Sequence, residues 1–509
     1  MAGGTIAGLK SYDWTSCCDN GFRQFALHTI GDPRPGGLQR TPGSRITVIV
    51  SDGLAYDEAT LHSYVWTSCC DNGFRQFALH TIGDPRPGGL QRTPGSRITV
   101  IVSDGLAYDE ATLHSGWDNY RHQADVCHAY QVLHNHGIPD DRIVVMMYDD
   151  IAFNEENPTP GVIVNHINGS NVYLGVPVDY SGQQVTPENF LNVLQGRQVT
   201  AGSGKVIASG PRDHVFVFFS DHGAPGFLCF PDANLMATQL SDAIKTMAAE
   251  NRFGKMVLYI EACESGSIFD GLLPDDINVY ATTAANPNES SYACYYDGLR
   301  NTYLGDLYSV NWMEDSDRED LRKETLVRQF TIVKAETNTS HVMEYGDMQL
   351  GHMKLSAFQG RKETAPILLP KAPLDLVDSR DVPVEIVRRT LEKTTDRLLR
   401  LFLKHKLDDM KRRRLFLSNE VADIAHFLAS GDGEKAAHLL SSKLPLKNRA
   451  CYESVVKYFD FKCFKLSANP YALGHLHLFV NLCEENYHPR DIRAAMDFAC
   501  THGNVVGIV

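Results

Sequence analysis

The sequence predicts an α/β domain built on a mainly parallel sheet, followed by an all-α domain. Short apolar runs without polar alternation recur at residues 142–148, 214–219, 255–260 and 277–280, the pattern of strands covered on both faces. Helical stretches separate these runs, so successive strands are joined by crossovers and lie parallel. Beyond residue 384 the composition is helical to the C-terminus. With 509 residues, 43% hydrophobic and 22% charged, the chain has the length for two or three domains of about 100–200 residues each.

Taken in order, residues 1–115 form an N-terminal extension in which residues 14–63 recur without a change as residues 66–115. Perfect identity over two units points to a recent exon duplication or an assembly fault in the gene model rather than a solenoid, which needs about three repeats. Each copy offers one β-branched run, residues 46–50 and 98–102, so one strand per copy is expected. Residues 121–136 place Val126, Tyr130 and Leu133 at helical spacing and stop at Gly137-Ile-Pro139, which predicts a helix. Residues 116–361 carry the strand-and-helix pattern, residues 362–395 read as a Pro-rich, charged linker, and residues 396–509 as the helical domain. The basic run Lys411-Arg-Arg-Arg414 reads as a solvated helix face.

Lys and Arg number 48 against 62 Asp and Glu, and the net charge of −14 argues against nucleic acid or a lipid surface as partner. Peptides and proteins fit better. The sequence shows neither a run of about 20 apolar residues nor a secretory leader. Cys451, Cys463, Cys483 and Cys500 crowd the helical tail, which suggests two disulfides in any of three pairings and an oxidising compartment. No spacing calls for a metal or a cofactor.

Two strands end in reactive side chains. One leads into Ser220-Asp221-His222-Gly223, the other into Glu261-Ala262-Cys263-Glu264-Ser265-Gly266. If these strands are parallel neighbours, His222 and Cys263 emerge at the same sheet edge, as a cysteine nucleophile and its general base require. The caspase pattern Gln-Ala-Cys is approached but not met, since Glu261 stands where Gln would be.

Asn119-Tyr-Arg-His-Gln-Ala-Asp125, Ser220-Asp-His-Gly223, Glu261-Ala-Cys-Glu-Ser-Gly266, Ala281-Thr-Thr-Ala-Ala-Asn-Pro287 and Ser290-Ser-Tyr-Ala-Cys294 together resemble the legumain family of asparaginyl endopeptidases. The resemblance runs from Gly116 to the C-terminus. It implies a caspase-like α/β/α sandwich followed by an inhibitory helical prodomain. It makes Cys263 the nucleophile, His222 the general base and acid, Asn119 the residue that orients the imidazole, and Gly223 an oxyanion donor. An imidazolium beside the thiol would lower its pKa well below about 8.5.

Asparagine presents a carbonyl acceptor and an amide donor on one short side chain, so its pocket needs a cation and an anion together. The resemblance assigns Arg121, Glu261 and Asp306 to that pocket, with Ser291 beside them. It pairs Cys451 with Cys483 and Cys463 with Cys500. Sequons stand at Asn168, Asn288 and Asn338. Family partners are protein and peptide substrates, the chain's own prodomain and cystatin-type inhibitors, in a lysosomal or secretory setting. Activation by acid self-cleavage is implied, with Asp396 or Asn419 as the cut site, and Asp is cleaved only where acid protonates it. Ionic attraction between the tail's cations, including residues 411–414, and Glu261 and Asp306 would hold the prodomain closed.

Two other readings keep the same residues: a transpeptidase in which an amine resolves the acyl-enzyme, and an inactive chain that only binds partners. In the family a hydrophobic strand precedes the Asn119 segment. Residues 98–102 are the run that can fill that slot, residues 106–115 not being a strand.

Overall fold

The computed structural model describes residues 46–48, 64–66, 97–103, 116–503 and 505–509. The chain divides into two units, Met1–Gln91 and Arg92–Val509. In the first, β1 (Ile46–Val48) and β2 (Tyr64–Trp66) pair antiparallel, with Thr47 opposite Val65. The rest of the first copy, and residues 104–115, lie outside the described residues.

The second unit opens with β3 (Arg97–Ser103), the β-branched run of the second copy. Then come α1 (Tyr120–Asn135), β4 (Ile143–Met146), β5 (Val178–Tyr180), α2 (Pro187–Leu194) and β6 (His214–Ser220). Three short strands follow: β7 (Gly223–Ala224), β8 (Phe227–Cys229) and β9 (Asn234–Met236). Next are α3 (Ala237–Ala249), β10 (Lys255–Glu261), β11 (Val279–Thr283), β12 (Tyr292–Asp297), β13 (Thr302–Asp306), α4 (Leu307–Arg318), α5 (Leu326–Glu336) and β14 (Met343–Gly346). The strand order in the main sheet is β14-β11-β10-β6-β3-β4-β5, and only β14 is antiparallel to its neighbour. The mainly parallel sheet expected from the apolar runs is therefore present.

Alternation along each strand separates two cores. Ile101, Phe216, Phe218, Val257 and Tyr259 join buried residues of α1, α4 and α5 on one face. Val100, Val102, Val217, Phe219, Leu258 and Ile260 join those of α2 and α3 on the other. This is the three-layer α/β/α arrangement, and both strand faces are apolar because both are covered.

β3 lies between β4 and β6, parallel to both, with Val100, Ile101 and Val102 fully buried. A strand assigned on sequence to the N-terminal extension thus sits at the centre of the sheet. The tripeptide Ile-Thr-Val occurs at the start of β1 and again in β3, pairing antiparallel in one and parallel in the other. The neighbours available, rather than local propensity, decide which ladder the run joins.

Residues 362–376 carry no regular element, and β15 (Val377–Asp378) then adds antiparallel to β12. Helices α6 (Val382–Lys393), α7 (Arg397–Leu428), α8 (Gly433–Ser441), α9 (Arg449–Lys462), α10 (His477–Glu484) and α11 (Pro489–Ala499) complete the chain. The last of these close around one apolar core, tied by disulfides Cys451–Cys483 and Cys463–Cys500. That core also takes in Ala224, Phe227, Cys229 and Met236 of the β7–β9 sheet, so the helical domain is packed onto the α/β domain by apolar burial. No helix among the described residues is long and apolar enough to cross a membrane.

Candidate active site

β6 and β10 are parallel neighbours in a register that places Ser220 opposite Glu261. His222 and Cys263 each stand two residues past that pair, so both emerge from the carboxyl edge of the sheet. Open α/β sheets concentrate their chemistry there. Gly223 follows His222 at a close backbone approach. A Cβ on it would lie 2.6 Å from the Cys263 carbonyl oxygen and 2.9 Å from Ala262 Cβ, so only glycine fits without displacement.

A turn at Gly116–Asn119 precedes α1, anchored by Trp117 Nε1 donating to the Arg300 carbonyl at 3.0 Å. It presents Asn119, whose Oδ1 accepts from His222 Nε2 at 2.9 Å. Because that oxygen only accepts, Nε2 carries the proton and Nδ1 is the nitrogen with a lone pair, and Nδ1 has no hydrogen-bond partner. Cys263 Sγ accepts from the Ser291 amide at 3.3 Å.

Arg121, Glu261 and Asp306, the residues expected to receive an asparagine side chain, are all buried. Arg121 Nε, on the first turn of α1, donates to Asp306 Oδ1 at 2.9 Å at the end of β13. Glu261 Oε2 is held by the Ser309 amide and hydroxyl, each at 3.0 Å. Asp306 Oδ2 faces His122 Nε2 at 3.5 Å, and the Ser291 hydroxyl lies beside the Glu261 carboxyl. Burial, with Asp306 as the neighbouring charge, holds the Glu261 carboxyl well above its ordinary range, and burial raises Asp306 against the pull of Arg121. One cation and two carboxyl groups are the set of partners that a side chain which both accepts and donates would need.

The arrangement is closed by the linker. β15 runs antiparallel to the start of β12, and the Ser379 amide donates to the Ser291 carbonyl at 3.1 Å. Ser379 Oγ accepts from Arg121 Nη2 at 2.7 Å, so a linker serine engages this arginine. Arg380 Nη1 donates to Ser290 Oγ at 2.9 Å and Nη2 to the Gly223 carbonyl at 3.2 Å, and the guanidinium pairs with the Glu264 carboxylate.

Burial under this strap pushes the Cys263 thiol up to about 11 and, with Arg121 and Arg380, holds His222 well below its ordinary value. Both shifts run against the thiolate–imidazolium pair that the residues alone suggest.

The cations of residues 411–414 do not reach Glu261 or Asp306, which correct the expected ionic clamp by pairing within the pocket. Arg412 and Arg413 pair with Asp409 of their own helix. Arg414 Nη1 donates to Asp381 Oδ1 at 2.6 Å and its Nη2 to the Arg380 carbonyl at 2.8 Å, so it braces the strap from outside. Ser379 and Arg380 belong to no motif of the sequence and are placed by the pairing of β15 with β12, whereas Glu264 stands within the Glu261–Gly266 motif. Of the sequons, Asn168 and Asn338 are exposed, whereas Asn288 is half-buried and its carbonyl accepts from Lys443 of the helical domain.

Residues 114–361 match the Peptidase C13 family and residues 405–500 the legumain prodomain. Human legumain is 52% identical over 427 residues, an alignment covering 82% of this chain and 95% of that protein. The chain belongs to the legumain family of cysteine endopeptidases. Rat legumain is 53% identical over 432 residues, covering 83% of this chain and 95% of that one. The vacuolar-processing enzyme beta-isozyme of Arabidopsis thaliana is 41% identical over 437 residues, covering 80% and 86%. A legumain-family hydrolase with its prodomain attached is what the α/β unit and the disulfide-tied helices make up.

Proposed function

We propose that the chain is the zymogen of an endopeptidase that hydrolyses peptide bonds after Asn, and after Asp at acid pH. The observation that carries this reading is the cluster of Arg121, Glu261 and Asp306, buried together with Glu261 two residues before Cys263. A substrate Asn would accept from Arg121 and donate to Glu261 and Asp306. A charged Asp would meet two carboxylates, so it enters only when protonated.

In the reaction, Nδ1 of His222 takes the thiol proton while Sγ of Cys263 attacks the carbonyl carbon. Asn119 holds the ring through Nε2–H. The amides of Cys263 and Gly223 stand beside the developing oxyanion. The tetrahedral adduct collapses, the proton passes from His222 to the leaving amine, and the thioester remains. Water, deprotonated by His222, then releases the acid and restores the thiol.

Acid frees the site through two histidines of the helical domain. Burial, with Arg380 and Arg414, lowers His475 to about 4, and burial, with Lys443 and Arg380, lowers His477 to about 3. Both stay neutral while closed and regain their ordinary value of about 6.5 when exposed, so the open form binds protons that the closed form refuses. His475 faces Arg380, Arg414 and Ser418, and His477 faces Glu264 at 4.0 Å together with Lys443 and Arg380. Asp396, exposed between α6 and α7, is the favoured cut site; Asn419 lies inside α7, where the chain cannot take up an extended form. Two disulfides and exposed sequons fit a lysosomal or secretory setting. The test is product analysis: acid-treated protein given a peptide with single Asn, Asp and Gln residues is expected to cut after Asn, and cutting after Gln would overturn the pocket assignment.

A further inference from the structure

The strap also marks a position on the other side of the sulfur. The Ser379 amide pairs with the Ser291 carbonyl and its hydroxyl takes Arg121, so Ser379 occupies the place of the residue before a cleaved bond. β15 fixes the chain direction, running antiparallel to β12. Arg380, the next residue, therefore stands where a substrate's leaving-group residue would stand.

Its guanidinium is buried, with three chemically matched partners converging on it. They are the Glu264 carboxylate, the Gly223 carbonyl at 3.2 Å and the Ser290 hydroxyl at 2.9 Å. Glu264 directly follows Cys263 and has φ +49, a left-handed conformation that non-glycine residues rarely adopt without a local reason. Its amide donates to the Glu289 carbonyl at 2.7 Å, which fixes that turn. Glu264 is 2% exposed, and a carboxylate held in this way costs free energy unless a cation meets it.

We propose that Glu264, the Gly223 carbonyl and Ser290 form a subsite for a cationic side chain on the substrate residue immediately after the cleaved bond. Arg380 occupies it in the zymogen, and an arginine or lysine of the substrate occupies it once the strap has left. The inference rests on the reading of Cys263 and the Arg121 pocket given above. The preferred substrates are peptides with a basic residue directly after the asparagine.

The experiment compares kcat/KM of acid-activated enzyme on peptides that differ only after the Asn, carrying Arg, Lys, citrulline, Ala or Glu. A charge-assisted hydrogen bond predicts that Arg exceeds Ala by about tenfold. Citrulline keeps the shape of arginine without the charge and is expected to fall near Ala, with Glu lowest. In Glu264→Gln the Arg-to-Ala ratio is expected to approach about one. Equal rates for Arg, citrulline and Ala in the wild-type enzyme would overturn the subsite while leaving cleavage after Asn in place. Failure to cut any of these peptides after Asn would overturn the functional reading, and the subsite with it.

Discussion

Ser220 and Glu261 are register partners in neighbouring parallel strands, and that one pairing sets the spacing of the nucleophile and its base. Counting two residues on from each reaches His222 and Cys263, so any slip of β6 against β10 would separate them. The same pairing leaves Glu261 as the last residue of β10, turned to the Ser309 amide in the wall of the pocket.

Replacing Cys263 by Ser should remove peptidase activity by about a thousandfold or more, since a hydroxyl is far less acidic and less nucleophilic than a thiol in a site built for sulfur. His222→Ala should match that loss. Asn119→Ala should lose less, because it turns the ring rather than reacting. Rates on one Asn peptide, with circular dichroism to show that each variant is folded, check the order.

Ser379→Asn should convert the strap into a substrate. Asparagine would offer Arg121, Glu261 and Asp306 the partners that serine offers only in part. A new fragment beginning at Arg380 is expected, and its absence after prolonged incubation of the purified variant would show that the strap is not held in a cleavable register.

The thiol should react according to whether the strap is present. In the closed zymogen, burial keeps Cys263 neutral up to about pH 11, so alkylation at neutral pH should be slow and should rise with pH. Once the strap leaves, desolvation and the His222 depression are both relieved, and fast alkylation should appear near pH 6 or below, about the imidazole range. Equal alkylation rates before and after activation would contradict the desolvation account.

Closure should weaken from about pH 6.5 downwards, the window between the ordinary histidine value and the depressed values of His475 and His477. A depressed histidine contributes stability that is full above its unfolded value and is lost as pH falls. By about pH 4.5 the loss is on the order of 2 kcal/mol for each. His475→Gln with His477→Gln should shift the midpoint of acid self-processing to lower pH, read from the fragment pattern on gels. An unchanged midpoint would assign the response to carboxylates instead.

A chain starting at Gly116 should not fold, whereas one starting at Arg92 should. Without β3, both β4 and β6 lose a ladder, and three fully buried side chains lose their place. At about 1.5–3 kcal/mol for each side chain, plus the ladder hydrogen bonds, the loss is comparable with a whole domain's stability of about 5–15 kcal/mol. Soluble, active protein from both starts would contradict it.

The apolar runs were enough to read β6 and β10, because a strand covered on both faces leaves a continuous signature, and from these the placement of His222 and Cys263 followed. α1 was legible from its periodicity and its Gly-Pro stop. β5, β14 and the β12–β13 hairpin are short or half-covered and leave no such run. The strap was out of reach for a different reason. Val377 and Asp378 join β12 through backbone hydrogen bonds, which any sequence can make, and nothing in Ser379-Arg380 announces partners so distant along the chain. Residues 98–102 were legible as a strand, but their central position depends on the vacancy between β4 and β6, a property of the sheet rather than of the run.

The most direct measurement of the central claim is mass spectrometry of the products that wild-type and Cys263→Ser protein release at about pH 5.5 from a peptide containing one Asn, where histidines are largely protonated and exposed carboxylates are not. The account predicts a single cut after Asn by wild-type protein, following release of the helical domain, and none by the variant. A cut elsewhere, or an undiminished cut by the variant, would contradict it.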